Sequence, residues 1–178
     1  MKKQPEITDQ TRKNIITAFC QLYEHKPIEK IYVKDVIAKA GYNRSTFYEY
    51  FSDIYELLSY IEDDVIQYIK AGINDIPHTQ IDLIHLLSAK EDYLKVLLGS
   101  YGVVRFQDRL KQEFASKDMQ RDKWSAYLNE YHLSVSLSMY RIWLQKKDIS
   151  LEELSNLIHV LYSSGINGFL NINKDHIL

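Results

Sequence analysis

The most informative segment of the sequence is VKDVIAKAGYNRSTFYEYF, which runs from Val33 to Phe51. Its first half has an apolar helical face, and Gly41 supplies the left-handed residue that typically ends such a helix. Asn43 can cap a second helix by accepting a hydrogen bond from the amide of Thr46 or of the residue before it. The segment therefore predicts two short helices joined by a tight turn, which is the layout of a helix-turn-helix.

The start of the second predicted helix carries side chains that can bond to DNA. Phe47 and Phe51 lie four residues apart, so both would pack onto the first helix. Arg44, Ser45 and Thr46 are then left facing outward. Guanidinium and hydroxyl groups bond to base edges and phosphates in protein–DNA complexes. An ordinary helical hairpin is the alternative interpretation, and the polar start of the second helix favours DNA binding over it.

The flanking sequence favours the same interpretation. Upstream, apolar residues recur at helical spacing between Ile15 and Tyr23. Downstream, Ser52 is expected to cap a further helix, with Asp53 and Glu56 in its first turn, where the helix dipole favours carboxylates. The sequence thus predicts one helix before and one helix after the helix-turn-helix.

Over about residues 8–68, the sequence resembles the TetR-type (TetR/AcrR) family of transcriptional regulators. The resemblance rests on the run AGYNRSTFYEYF, residues 40–51, followed by Leu57 and Leu58. It implies an all-helical homodimer that binds a palindromic double-stranded DNA operator and usually represses transcription. Many members of the family release DNA when a small-molecule effector enters the C-terminal domain.

The resemblance also implies DNA contacts at individual positions. Arg44, Ser45 and Thr46 match the start of the family's recognition helix, which reads bases and bonds to phosphates. Lys34 and several tyrosines match other positions that contact DNA in the family. The residues expected to contact DNA are Tyr32, Lys34, Arg44, Ser45, Thr46, Tyr48 and Tyr50.

Three positions depart from the family's pattern. Tyr32 stands where Thr or Ser usually caps the first helix of the motif, although its phenol could still reach a phosphate. Ile37 occupies a position where a small residue is usual, which predicts a slightly wider spacing of the two motif helices. Ile54 stands where a phosphate-binding lysine is common. These departures place more of the expected binding on Arg44 and the tyrosines. They also leave open an alternative, a TetR-like adaptor that contacts proteins without sequence-specific DNA binding.

Length and composition predict an all-α protein in two parts. The chain has 178 residues, 46% of them hydrophobic, with only three prolines and six glycines, and it shows no strand-like alternation. We expect residues 1–52 to form a three-helix DNA-binding head, and residues 53–178 to form a helical-bundle domain for dimerisation and ligand binding. The head has nine basic and six acidic residues whereas the remainder is acidic, and this asymmetry would orient the head toward phosphate.

The C-terminal part carries two candidate sites. The last two predicted helices, at about 122–147 and from Ser150 onward, contain small residues that permit close packing, and the family dimerises through its last two helices. The same residues could instead form intramolecular core. The residues expected at the dimer interface are Val135, Ser138, Met139, Ile142, Ile158, Leu161, Gly165 and Phe169. A ligand pocket, for which an ordinary aromatic core is an equal alternative, is expected from Tyr93, Tyr101, Phe106, Trp124, Tyr127 and Tyr131.

Other features favour neither an enzyme nor a membrane protein. The six histidines lack metal-ligand spacing, and the acidic run at residues 62–64 is interpreted as a solvated helix face. Cys20 is the single cysteine, so it cannot form an internal disulfide, and we expect a buried, inert thiol. The sequence has no signal region and no apolar run of membrane-spanning length. We therefore expect a cytoplasmic, non-catalytic protein without a metal or cofactor.

Overall fold

The computed structural model describes residues 5–75, 86–114 and 124–172, and every regular element among them is helical. A 3-10 helix, Ile28–Lys30, precedes the second α-helix. The α-helices of the described residues are α1 (Pro5–Tyr23), α2 (Val33–Ala40), α3 (Arg44–Tyr48), α4 (Ile54–Asp75), α5 (Glu91–Leu97), α6 (Val103–Phe114), α7 (Ser125–Lys146) and α8 (Leu151–Ile172). The predicted all-α fold is confirmed.

The described residues form two compact units. Unit 1 comprises the described residues up to Tyr68 together with Asp92–Arg109. Unit 2 comprises the described residues of Ile69–Glu91 and those from Leu110 onward. Residues 92–109 therefore pack with the N-terminal helices. The functional boundary expected after residue 52 is a different division of the chain and stays a prediction.

The core of unit 1 is made of apolar side chains from six helices. The hydroxyl of Tyr23, at the end of α1, donates to the carbonyl oxygen of Tyr101 at 3.2 Å. Burial of a large apolar side chain contributes about 1.5–3 kcal/mol, so these positions hold the unit together. The most buried of them are Ile15, Phe19, Val36, Phe47, Leu57, Leu58, Ile61, Val65, Ile66, Leu94, Leu97, Leu98 and Phe106.

A cluster of ion pairs joins α4 to α6 within unit 1. Glu62 is only 1% exposed. Arg105 donates to both of its carboxylate oxygens, and Arg109 Nη1 donates to Oε2 at 2.7 Å. Arg109 also pairs with the carboxylate of Asp63. The interpretation of the acidic run as a solvated face is therefore wrong for Glu62, because its partners come from a helix more than 40 residues later in the chain.

In unit 2, α7 and α8 are joined by a short turn that is closed by local hydrogen bonds. Lys147 has a left-handed backbone, with φ of 50°, and its N–H donates to the carbonyl oxygen of Trp143 at 2.8 Å. At the start of α8, the Glu153 N–H donates to Ser150 Oγ at 3.1 Å, and the Ser150 N–H donates to Glu153 Oε2 at 2.7 Å. The Trp143 indole N–H donates to the carbonyl oxygen of Ile149 at 2.8 Å. The spacing of Ser150 and Glu153 thus marks a real capping box.

Candidate nucleic-acid interface

The turn between α2 and α3 has the conformation that its sequence predicts. Gly41 is left-handed, with φ of 74° and ψ of 28°, and its N–H donates to the carbonyl oxygen of Ile37. The Tyr42 N–H donates to the same oxygen at 3.1 Å. A Cβ at Gly41 would meet no atom within 4 Å, so glycine is required here by the backbone angle and not by lack of space.

Asn43 caps α3, as predicted, and it organises the first turn of that helix. Its Oδ1 accepts from the Thr46 N–H at 2.8 Å, which satisfies an amide that has no partner within the helix. The same oxygen accepts from Ser45 Oγ at 2.7 Å and from Thr46 Oγ1 at 2.9 Å. One side-chain oxygen therefore holds three donors at the start of the predicted recognition helix.

These bonds determine what the two hydroxyls can offer to a ligand. In the free protein, Ser45 and Thr46 donate their hydroxyl protons to Asn43, so their lone pairs remain for an incoming group. A lone pair can accept from the amino group of a base. Donation to a phosphate oxygen would require a hydroxyl to rotate away from Asn43. As they stand in the free protein, the two hydroxyls can accept from the amino group of a base. To donate to a phosphate, one of them must first rotate away from Asn43.

Arg44 and Tyr48 form a pair on the exposed side of α3. Arg44 Nη2 donates to the Tyr48 hydroxyl at 3.0 Å and Nε donates to it at 3.3 Å. The guanidinium carbon also lies 5.5 Å from the centre of the Tyr48 ring, within the range of a cation–π contact. Tyr48 is 46% exposed. The guanidinium is thus held at the surface, and its other N–H groups are directed away from Tyr48.

The opposite side of α3 anchors it to the core. Phe47 is fully buried and Phe51 is 3% exposed, and their ring centres lie 5.8 Å apart. Ile54, the first residue of α4, is 6% exposed. Its side chain belongs to the core, so it does not replace the lysine that is common at this position in the family. Both rings are buried and in contact with each other, and their packing on α2 stays a prediction.

The start of α2 adds an exposed phenol and an exposed cation. Tyr32 is 57% exposed and makes no side-chain capping bond. Asp35 helps to fix the start of the helix instead, because its carboxylate accepts from the Tyr32 N–H at 3.3 Å and from Lys26 Nζ at 3.4 Å. Lys34 Nζ lies 5.5 Å from the centre of the Tyr32 ring. Both side chains are exposed at the start of α2.

Two contacts between α1 and the motif were missed by the sequence analysis. Asn14 Nδ2 donates to the Tyr42 hydroxyl at 2.9 Å. The guanidinium carbon of Arg12 lies 5.6 Å from the centre of the Tyr50 ring. No local spacing links residues 12 and 14 to residues 42 and 50, so only the packing of α1 on the motif reveals these pairs.

The seven residues expected to contact DNA all lie in unit 1, on α2, α3 and their flanks. Thr46 and Tyr50 are half-buried. The exposed members of the set are Tyr32, Lys34, Arg44, Ser45 and Tyr48. The set brings two cations, three phenols and two hydroxyls to the helix-turn-helix.

The residues expected to line a pocket are divided between the two units. Unit 1 holds Tyr93, Tyr101 and Phe106, and unit 2 holds Trp124, Tyr127 and Tyr131. Phe106 is fully buried, and burial raises the pKa of Tyr93 to about 12. Trp124 is half-buried, and the other three tyrosines are 45–72% exposed. A pocket formed by these side chains stays a prediction.

The residues expected at a dimer interface differ in their exposure. Ile142 is 50% exposed and Leu161 is 43% exposed, and Gly165 is open to solvent. Ile158 is only 2% exposed, so its side chain packs inside the protomer and is unavailable to a second copy. The half-buried members are Val135, Ser138 and Met139. The side chain of Phe169 lies outside the described residues.

The described part of the chain contains neither a candidate metal site nor a helix that could span a membrane. No group of three or more His, Cys, Asp or Glu side chains there could hold a metal ion. Among the helices of the same residues, none is long and apolar enough to cross a membrane.

Comparison with known proteins gives matches to one family and to several solved structures. Residues 15–61 match the model of the bacterial regulatory proteins of the tetR family. No curated protein sequence matches the chain. A TetR transcriptional regulator from Streptococcus agalactiae 2603V is 23% identical, with a TM-score of 0.63 over 88% of this chain and 96% of that one. The dihydroxyacetone kinase operon activator DhaS is 21% identical, with a TM-score of 0.53 and coverages of 88% and 96%.

A third solved structure is the fatty acid degradation regulator FadR from Bacillus halodurans, which is 16% identical, with a TM-score of 0.59 over 91% of this chain and 96% of that one. At these identities the likeness shows a shared fold. The family model, in contrast, matches the segment that contains the helix-turn-helix. Residues 15–61 therefore match the helix-turn-helix domain of the tetR family, and the chain has the fold of solved TetR-family transcriptional regulators.

Proposed function

We propose that this protein is a homodimeric repressor that binds a palindromic operator through the start of α3. Each protomer contributes one helix-turn-helix, and the two recognition helices enter successive major grooves on one side of the DNA. The protein acts by binding and not by catalysis, and it works in the cytoplasm, where it has access to chromosomal DNA.

The observation that carries the proposal is the arrangement at the first turn of α3. Arg44 and Ser45 are exposed there, next to Thr46, and Asn43 fixes the backbone and both hydroxyls. Phe47 anchors the helix from behind. A short helix that is capped, anchored to the core and polar at its exposed end has the properties that base recognition in a major groove requires.

Exposed apolar side chains on α7 and α8 support dimerisation. In the set expected at the interface, Ile142 and Leu161 are 50% and 43% exposed. Their neighbours Leu157 and Val160, on α8, are 44% and 56% exposed. Soluble proteins rarely leave several apolar residues together in water, so a second copy is the partner that we propose for them. Ile158 is left out of this interface because it is buried.

The test is an unbiased selection of operators from random duplexes. We expect the protein to enrich a palindrome whose half-sites lie about one helical turn apart, and to bind it with strong salt dependence. Enrichment of no sequence would contradict the regulator and favour the TetR-like adaptor. The buried Ile54, which stands where the family commonly has a phosphate-binding lysine, is the observation that favours this second function.

The direction of regulation needs a separate experiment. The family usually represses, and we propose repression here, whereas one structurally similar protein is named as an operon activator. A reporter gene placed behind the selected operator distinguishes the two. Expression that rises when the regulator is deleted supports a repressor, and expression that falls shows an activator.

A small-molecule effector is part of the proposal. Tyr93, Tyr101, Phe106, Trp124, Tyr127 and Tyr131 are the residues proposed to bind it. Repeating the operator-binding assay with fractionated metabolites tests for release. A fraction that releases wild-type protein should act less on a variant in which one of these aromatic side chains is replaced by Ala. A release that no such variant weakens would place the effector elsewhere.

A further inference from the structure

The guanidinium of Arg12 lies close to two tyrosine rings of unit 1. Its guanidinium carbon lies 5.6 Å from the ring centre of Tyr50, which follows α3, and 5.8 Å from the ring centre of Tyr60, on α4. Both distances are within the range of a cation–π contact. The buried Phe51 connects the two tyrosines, since its ring centre lies 6.5 Å from that of Tyr50 and 5.6 Å from that of Tyr60.

These contacts fix the position of the cation without using its hydrogen-bond donors. A guanidinium has five N–H groups, and contact with aromatic faces leaves them available. Asp9, the ion-pair partner of Arg12, has its carboxylate oxygen 3.6 Å from Nη1, which is too long for a good hydrogen bond. The Asp9 side chain is 64% exposed and that of Arg12 is 37% exposed. An exposed pair of this kind is weak, so Arg12 keeps donors for another anion.

The neighbouring residue identifies the anion. Tyr50 is among the side chains proposed above to bond to DNA, and its ring lies against the Arg12 guanidinium. A phosphate oxygen that accepts from the Tyr50 hydroxyl would therefore lie beside a cation that is already held in place. Arginine suits this role because its planar fork binds phosphate with two parallel hydrogen bonds.

We propose that Arg12 and Tyr50 form a clamp for one phosphate of the DNA backbone. The face of the Arg12 guanidinium holds the Tyr50 ring in place. The N–H groups at the edge of the guanidinium donate to the phosphate that also accepts from the Tyr50 hydroxyl. The clamp rests on the proposed function, and it adds a DNA contact from α1. Because it touches only the backbone, it contributes equally to binding of operator and of random DNA.

The test compares Arg12→Gln with Lys13→Gln, a matched loss of one exposed charge from the next position of α1. Fluorescence anisotropy measures binding to operator and to random duplex of equal length over a range of NaCl concentrations. For Arg12→Gln we expect about tenfold weaker binding to both duplexes, and a plot of log K against log salt that is shallower by about one unit. Lys13→Gln should leave that slope unchanged.

Two further variants separate the clamp from simple packing. Tyr50→Phe keeps the ring and removes the hydroxyl, and a double-mutant cycle of Tyr50→Phe with Arg12→Gln should be non-additive in DNA binding. Arg12→Lys keeps a cation but not the planar fork, so we expect it to retain the salt slope with weaker binding. If the melting temperature shows that Arg12→Gln destabilises the head, Arg12→Lys replaces it, both alone and in the double-mutant cycle with Tyr50→Phe.

The outcomes distinguish failure of the clamp from failure of the proposed function. If wild-type protein binds neither duplex, both proposals are wrong. If wild-type protein binds and Arg12→Gln keeps the wild-type salt slope, or if Lys13→Gln changes the slope equally, only the clamp is wrong. Additive effects in the double-mutant cycle would also overturn it, because the two side chains would then act on different groups.

Discussion

Arg105 binds the carboxylate of Glu62 through two hydrogen bonds, from Nε to Oε1 at 2.8 Å and from Nη2 to Oε2 at 3.0 Å. The two residues are unequal in exposure, since the Glu62 side chain is 1% exposed and that of Arg105 is 45% exposed. The hydrogen bond to Glu62 raises the pKa of Arg105. A buried negative charge on α4 is thus compensated by a cation that α6 holds at the surface.

We expect Glu62→Gln to lower the free energy of unfolding by about 2 kcal/mol, measured by urea titration. Breaking a fully buried ion pair costs more, but Arg105 and Arg109 are partly exposed and water can solvate them once the charge is gone. Asp63→Asn is the control, because Asp63 is 54% exposed and should cost less than about 1 kcal/mol. If the free energy of unfolding falls equally in the two variants, the burial of Glu62 does not strengthen its contribution to stability.

Asn43→Ala should destabilise unit 1 by about 1 kcal/mol, because it removes the cap of α3. Asn43→Asp keeps an accepting oxygen and should retain the stability of the wild-type protein. The added negative charge should nevertheless weaken binding to operator and to random DNA. Melting temperature and anisotropy, measured on both variants, separate the two effects. A stable Asn43→Asp protein with undiminished DNA binding would place the first turn of α3 away from DNA.

Arg44→Ala should weaken operator binding by about 1–3 kcal/mol if the guanidinium reads a guanine, with a smaller loss on random duplex. Tyr48→Phe provides the contrast, since it removes the hydroxyl that accepts from Arg44 and that we expect to contact phosphate. Its loss should be similar on both duplexes. If Arg44→Ala weakens both duplexes equally, Arg44 contacts only the phosphate backbone.

Leu161→Glu should shift the protein from dimer to monomer, as measured by sedimentation velocity, because it would bury a charge in the proposed interface. Operator binding should fall with the loss of the dimer. His159→Glu introduces the same side chain at an exposed position of α8, and two residues correspond to a rotation of about 200° around the helix. His159→Glu should therefore remain dimeric. A Leu161→Glu variant that dimerises like the wild-type protein would exclude this face.

Cys20 should be inert in the native protein. Burial, together with the nearby charge of Asp92, raises the pKa of its thiol from 9.0 to about 12, so very little thiolate forms at pH 8. We expect slow reaction with a thiol reagent at that pH and fast reaction in denaturing urea, where the pKa returns to its ordinary value. Fast labelling under native conditions would indicate that α1 opens.

The helix-turn-helix could be predicted in detail because its determinants are local. Gly41 sets the turn through its own backbone angle, and Asn43 caps α3 through an amide three residues away. Phe47 and Phe51 are buried as their spacing predicts. Each of these relationships spans at most four residues, so the sequence contains all the information needed.

Such a prediction is less exact where two adjacent residues could both cap the same helix. Ser52 was expected to cap α4, but the helix begins at Ile54 and Asp53 Oδ1 accepts from the Glu56 N–H at 2.8 Å. Ser52 has a different part, since its hydroxyl and its N–H bond to the Glu56 carboxylate and hold the pKa of that group below its ordinary value. Ser and Asp are equally good caps, so the sequence could not choose between adjacent positions.

Contacts between distant segments could not be predicted at all. Glu62 lies in a run of three acidic residues, and its burial depends on Arg105, 43 residues later. The aromatic partners of Arg12 are likewise distant in the sequence, since Tyr50 follows α3 and Tyr60 lies on α4. Charge patterns along the chain do not show which charges will meet in the folded protein.

The proposed recognition helix, α3, has only five residues, Arg44–Tyr48. Isolated helices shorter than about 12–15 residues are marginal in water, so α3 has no independent stability. Its order depends on the burial of Phe47 and on the cap that Asn43 provides. Any local opening that releases these two anchors would disrupt the proposed DNA-binding surface while most of the protein stays folded. Amide hydrogen exchange within α3 would therefore serve as a sensitive reporter of whether the protein is competent to recognise DNA.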